Sequence, residues 1–172
     1  QIISDIFTIE EVKRKPISKL NICWIGDSNN VLTSLIEASI KLNFKLNITC
    51  PKKYLPKQNL IKYIKKNKGK ITISHNPLIG ASNADVLMTD KVISMNDKVN
   101  FKQKLRHFKN FKIKEKLLKV VKKNCIILHC LPRSNEISDK IIFGKNSKVW
   151  QQAMNRVHVQ KSILLYCFDK LR

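Results

Sequence analysis

Apolar positions recur along this chain in two alternating rhythms. Short runs rich in β-branched and aromatic residues cover Asn21 to Gly26, Lys45 to Cys50, Lys70 to His75, Asp85 to Thr89 and Cys125 to Cys130, and each reads as a strand. Between the first two, Leu32, Leu35, Ile36 and Ile40 share one face at the spacing of a helix packed on a sheet. Pro51 and Pro56 bracket a loop ahead of a Lys-rich helix over Gln58 to Lys68. Further helices are predicted from about Asp97 to Phe108 and from Lys114 to Lys122. Ala153, Val157, Leu164 and Phe168 give a long final helix one apolar stripe. Strands alternating with helices build a parallel sheet with helical crossovers, so the expected fold is α/β, a Rossmann-like doubly wound parallel sheet with helices on both faces. No internal repeat or low-complexity linker divides the 172 residues, which fit one domain.

The formal charge of +22 raises the question of a nucleic-acid partner, since a basic surface attracts phosphate backbones without any specific site. The residue types argue against it. There are 29 Lys but only 5 Arg, with 23 Ile and 16 Asn against 4 Gly and 4 Ala, the usage of an A- and T-rich genome at tolerant positions. Phosphate recognition favours the bidentate fork of Arg. Lys65-Lys66-Asn67-Lys68 and Lys122-Lys123 are scattered over several helix ends, as on a solvated surface. No apolar run approaches the roughly 20 residues of a membrane span, and Gln1-Ile2-Ile3-Ser4-Asp5 has no signal-peptide pattern, so a soluble, cytoplasmic protein without nucleic-acid or membrane partners is expected.

The five cysteines form no CxxC pair. Cys23, Cys50, Cys125 and Cys167 lie in apolar segments and read as small core hydrophobes, while Cys130 has unusual neighbours. His75, His107 and His158 show no ligand spacing, and neither a metal nor an organic cofactor is expected.

In open α/β sheets ligands collect beyond the carboxyl ends of the strands. That rule selects Asp27 to Asn30 after the first strand, Asp90 to Asn96 after the fourth, and His129 to Arg133 after the fifth. Gly26-Asp27-Ser28-Asn29-Asn30 has one glycine, which makes a dinucleotide fingerprint a poor fit. Taken singly, Asn29-Asn30 is a helix N-cap, Asp90 with Ser94 is turn chemistry, and His129-Cys130-Leu131-Pro132 is a strand ending at a proline. Together they offer a carboxylate, a hydroxyl, amides and a thiol around one crevice.

In this order the motifs resemble the transcarbamoylase family, and within it the ornithine carbamoyltransferases, over nearly the whole chain. Trp24-Ile25-Gly26-Asp27-Ser28-Asn29-Asn30 resembles the family segment whose second asparagine holds the amino-acid carboxylate. Asp90-Lys91-Val92-Ile93-Ser94-Met95 resembles the D-x-x-x-S-M-G loop that closes over ornithine, with Asn96 in place of the glycine. His129-Cys130-Leu131-Pro132 resembles the H-C-L-P signature, and Asn155-Arg156 the arginine that reaches the carbamoyl group. Gln1 resembles the glutamine of H-P-x-Q. Gln152 and Met154 stand where family members often carry acids.

The resemblance implies transfer of the carbamoyl group of carbamoyl phosphate to the δ-amine of L-ornithine, giving citrulline and phosphate in arginine metabolism. Asn30, Asp90, Ser94 and Met95 would meet ornithine. Gln1, Cys130, the Leu131 carbonyl and Arg156 would meet the carbamoyl group, with Cys130 and Arg156 closest to the chemistry. His129 and Arg133 are left without an assigned role. The family's S-x-R-T phosphate loop and its H-P are expected upstream of residue 1, so residues 1–172 read as the ornithine-binding domain, inactive by itself, of an enzyme that is a homotrimer when complete. The rival expectations are a non-catalytic amino-acid-binding module of the same fold and a carbamoyltransferase for another amine.

Overall fold

The computed structural model describes residues 1–93 and 100–169. Five strands, β1 (Asn21–Ile25), β2 (Lys45–Thr49), β3 (Ile71–Ser74), β4 (Val86–Thr89) and β5 (Ile126–His129), form one sheet in the order β3-β2-β1-β4-β5. Every neighbouring pair is parallel. The helices are α1 (Ile2–Lys13), α2 (Asn30–Lys41), α3 (Gln58–Lys66), α4 (Pro77–Gly80), α5 (Phe101–Phe108), α6 (Asp139–Ile142) and α7 (Val149–Cys167). From β1 the chain winds outward through β2 to β3, then returns to lay β4 on the other side of β1. The sequence direction therefore reverses between β1 and β4, and a crevice opens there at the carboxyl ends.

Residues of β1 alternate between two cores, because successive side chains of a strand point to opposite faces. Ile22 and Trp24 join Leu32, Leu35 and Ile36 of α2 on one face, together with Ile9 of α1. Cys23 and Ile25 join Phe108, Phe111, Leu117 and Ile141 on the other. The doubly wound sheet, with a core on each face, follows from strands apolar on both sides.

Three expectations are corrected. The helix predicted over Lys114 to Lys122 is a short 3-10 turn, Glu115–Lys119. Leu117 is its one buried residue, and the β-branched Val120 and Val121 follow, so one apolar anchor does not sustain a longer amphipathic helix. Cys167 is exposed at the end of α7, unlike the buried Cys23, Cys50 and Cys125. Lys68, given to the Lys-rich helix over Gln58 to Lys68, lies beyond α3 with a left-handed φ of 51°. The start of the helix expected from Asp97 lies outside the described residues; its described part begins at Phe101, where the Asn100 side chain accepts from Gln103 N at 3.3 Å.

Helix α1 has no counterpart in the hydropathy pattern because its buried side mixes Ile2 and Ile9 with Ser4, Asp5 and Thr8. It packs on α7 through polar bonds. Asn155 donates to Thr8 Oγ1 at 3.0 Å and to Glu11 at 2.8 Å, and Ser4 donates to the Gln152 carbonyl at 3.3 Å. The apolar stripe of α7 faces away from this interface, with Val157 and Leu164 each 59% and Phe168 71% exposed. Among the described residues no helix is long and apolar enough to cross a membrane.

Candidate functional site

Two groups of side chains gather at the carboxyl ends of the strands. The first spans the reversal between β1 and β4. Asn29 caps α2, its Oδ1 accepting from Leu32 N at 3.0 Å, while its Nδ2 donates to Asp90 Oδ2 at 2.8 Å. One amide thus serves as both cap and bridge. Asn30 is exposed and lines a groove of about 710 Å³ between α2 and α3, shared with Thr33, Glu37, Lys57 and Tyr63. Asp27 receives the Nζ of Lys104, a buried lysine of α5 that also lies over the Tyr54 ring, so α5 is anchored to the end of β1.

Asp90 Oδ1 accepts from Lys91 N at 2.7 Å. Burial pushes the Asp90 carboxyl above its ordinary value, against the hydrogen bonds from Lys91 and Asn29 and the nearby His129, while Glu136 raises it further. Ser94 and Met95, expected beside Asp90, lie outside the described residues.

The second group lines a cleft of about 170 Å³ between the end of β5, α7 and the start of α1, formed by Gln1, His129, Cys130, Leu131, Gln152 and Arg156. Four residues expected to meet the carbamoyl group are brought together there: Gln1, Cys130, Leu131 and Arg156. The Leu131–Pro132 peptide is cis. Burial, then the charges of Asp5 and Asp90, push the Cys130 thiol well above its ordinary value, against Arg156, so the site opposes thiolate formation there. Arg156 is exposed and makes no hydrogen bond or ion pair among the described residues, which leaves its donors to whatever enters the cleft.

Several residues unassigned or overlooked in the sequence complete the surroundings. His129 is buried, its Nε2 2.8 Å from Glu136 Oε1, and Glu136 also accepts from Ser134 N at 2.6 Å and Ser134 Oγ at 2.8 Å. Burial alone would raise the Glu136 carboxyl, but these hydrogen bonds together hold it down to about 2. Arg133 turns away to pair with Asp139 and lie over the Phe143 ring. Neither Glu136 nor Asp139 has a spacing or an apolar period to mark it; the first is separated from His129 by an irregular loop. Among the described residues no cluster of His, Cys, Asp and Glu fits a metal ion.

Beneath the cleft lies Asp5, fully buried. Its Oδ1 accepts from Gln1 Nε2 at 2.6 Å and from Gln152 Nε2 at 2.7 Å, and Gln152 Oε1 accepts from His129 N at 3.0 Å. Burial raises this carboxyl to about 6, although both amides and Arg156 pull it down. A carboxyl raised in the folded state binds its proton more tightly there than in the unfolded chain. Its contribution to stability is therefore present below the ordinary carboxylate pKa and is lost as pH rises through about 6. Relative to the native chain, Asp5→Asn should gain about 2 to 3 kcal/mol of stability between about pH 4 and about pH 7, read from urea midpoints. A difference that stays constant over this range would contradict the raised carboxyl.

The profile of the aspartate/ornithine carbamoyltransferase family, Asp/Orn binding domain, matches residues 18–167. An ornithine carbamoyltransferase of Methanococcus maripaludis is 42% identical over 177 residues, covering 98% of this chain and 58% of the relative. One of Methanosarcina acetivorans is 38% identical, covering 96% and 55%. The crystal structure of an anabolic ornithine carbamoyltransferase from Campylobacter jejuni superposes with a TM-score of 0.90 at 29% identity, over 99% of this chain and 58% of that one. The chain spans just over half the length of these relatives.

Proposed function

The chain belongs to the aspartate/ornithine carbamoyltransferase family, and we propose that residues 1–172 are the ornithine-binding domain of an ornithine carbamoyltransferase whose carbamoyl-phosphate-binding half is not among them. The observation that carries this reading is the meeting of Gln1, Cys130, Leu131 and an uncommitted Arg156 around one cleft, next to Asp90 at the chain reversal. The complete enzyme is a cytoplasmic homotrimer acting on L-ornithine and carbamoyl phosphate, without a metal or organic cofactor.

In this reaction the lone pair of the neutral ornithine δ-nitrogen forms the new N–C bond at the carbamoyl carbon, the C–O bond breaks with its electron pair leaving on the phosphate, and the nitrogen gives up one of its two protons, to the departing phosphate or to water, and keeps the other. An alkylammonium has a pKa near about 10.4, so the site must take up or generate the neutral amine. Asp90 holds an ammonium's proton more firmly, which makes it the partner of the amino-acid head group and not the base. Asn30 meets the carboxylate at the start of α2, and Ser94 and Met95 are assigned to ornithine by the family resemblance alone. The Leu131 carbonyl accepts from the carbamoyl amide. Arg156 faces the carbonyl oxygen where negative charge develops, and Gln1 retains a second N–H beyond the one given to Asp5.

The test is substrate preference. With a carbamoyl-phosphate-binding half supplied as a fusion, radiolabelled carbamoyl phosphate should give citrulline from ornithine at least about tenfold faster than carbamoyl-aspartate from aspartate, since buried polar partners left unmatched penalise the wrong amino acid. Equal or reversed preference sinks the ornithine assignment.

A further inference from the structure

The two amides on Asp5 belong to different helices, and one of them reaches a third element. Gln1 is the N-cap residue of α1, and Gln152 belongs to α7; the other end of Gln152 holds the peptide N–H of His129, the last residue of β5. These three elements are the walls of the cleft. The second carboxylate oxygen, Oδ2, is buried and has no hydrogen-bond partner among the described residues. A buried acid is costly to retain for packing alone, since an apolar side chain of similar size would fill the site without that desolvation. We propose that Asp5 is a positioning residue: its carboxylate sets the Gln1 amide at the cleft mouth and locks the end of β5 through Gln152.

Among the charged groups around Asp5 is Arg156 on α7. Gln152 suits the arrangement better than an acid would. Its amide donates to the carboxylate and accepts from the peptide at once, where a glutamate would need a proton to donate. The significance of Asp5 for turnover rests on the carbamoyl-transfer reading above; the role itself does not.

The test uses the full chain. Asp5→Asn keeps an acceptor for both amides and removes the charge; Asp5→Leu removes both. Only Asp5→Leu should speed hydrogen exchange at the His129 amide, by about fivefold for one lost buried hydrogen bond, and shift the Gln1 side-chain NH₂ resonances to solvent values. Asparagine should restore both. If the leucine variant does not fold, Asp5→Ser replaces it, its hydroxyl being too short to reach the two amides. Equal His129 exchange in the asparagine and leucine variants overturns the proposal. No turnover is measured, so a failed transfer assay and a failed positioning role are told apart.

Discussion

Incubated with L-ornithine and carbamoyl phosphate, residues 1–172 alone should form no citrulline above the uncatalysed background. Carbamoyl phosphate is a dianion, and transfer from it requires cationic and backbone donors fixed around the departing phosphate as well as a nucleophile held near attack distance. The cleft is about 170 Å³, and among the described residues Arg156 is the one arginine or lysine lining it. No S-x-R-T segment occurs in the 172 residues. Adding a separately expressed carbamoyl-phosphate-binding half should restore turnover. Ile3, Phe7, Ile163 and Tyr166 border an apolar groove between α1 and α7, so the isolated chain should also self-associate. Colorimetric detection of citrulline above the blank, from the chain alone, would mean that the phosphate is held by residues of this domain.

The strands were readable because β-branched runs such as Ile22 to Ile25 are apolar on both faces, which only a strand between two cores needs. The rule that ligands gather beyond strand ends then located Asp90, Cys130 and the Asn29-Asn30 pair from sequence position alone. It did not divide labour within the pair. Which asparagine bridges to Asp90 depends on which one ends up outside the first helical turn, and that is Asn29. The α1–α7 interface escaped notice for another reason. Its contacts join residues 144 to 148 positions apart through amides, hydroxyls and carboxylates, and polar complementarity leaves no hydrophobic period to detect. Gln152 stood out as an amide where relatives often carry an acid, but its two hydrogen bonds required the partners to be placed. The buried pairs Lys104 with Asp27 and His129 with Glu136 were hidden in the same way, since a charged residue in isolation reads as surface.

Replacing Arg156 and Asp90 one at a time should separate chemistry from binding. In the complete enzyme, Arg156→Ala should lower kcat by about 10²- to 10³-fold, the loss found when one donor to a developing oxyanion is removed, and leave the affinity for an ornithine analogue nearly unchanged. The variant should fold normally, because Arg156 is exposed and has no hydrogen bond or ion pair among the described residues; a surface truncation of this kind changes stability by about 0.5 kcal/mol or less. A lost rate then cannot be ascribed to a lost fold. Asp90→Asn is the complementary change. An asparagine at position 90 still offers an oxygen to the Asn29 amide, so the bridge across the chain reversal persists while the negative charge disappears. A charge-assisted contact to an ammonium contributes about 1.5 to 3 kcal/mol, which corresponds to roughly tenfold to 150-fold weaker ornithine binding. Isothermal titration of each variant with the ornithine analogue, set beside its kcat, places the two residues on different steps. Should Arg156→Ala prove the more damaging to analogue binding and Asp90→Asn to the rate, the roles are inverted: the arginine would then hold the amino-acid carboxylate, and the carboxylate would act on the reacting amine.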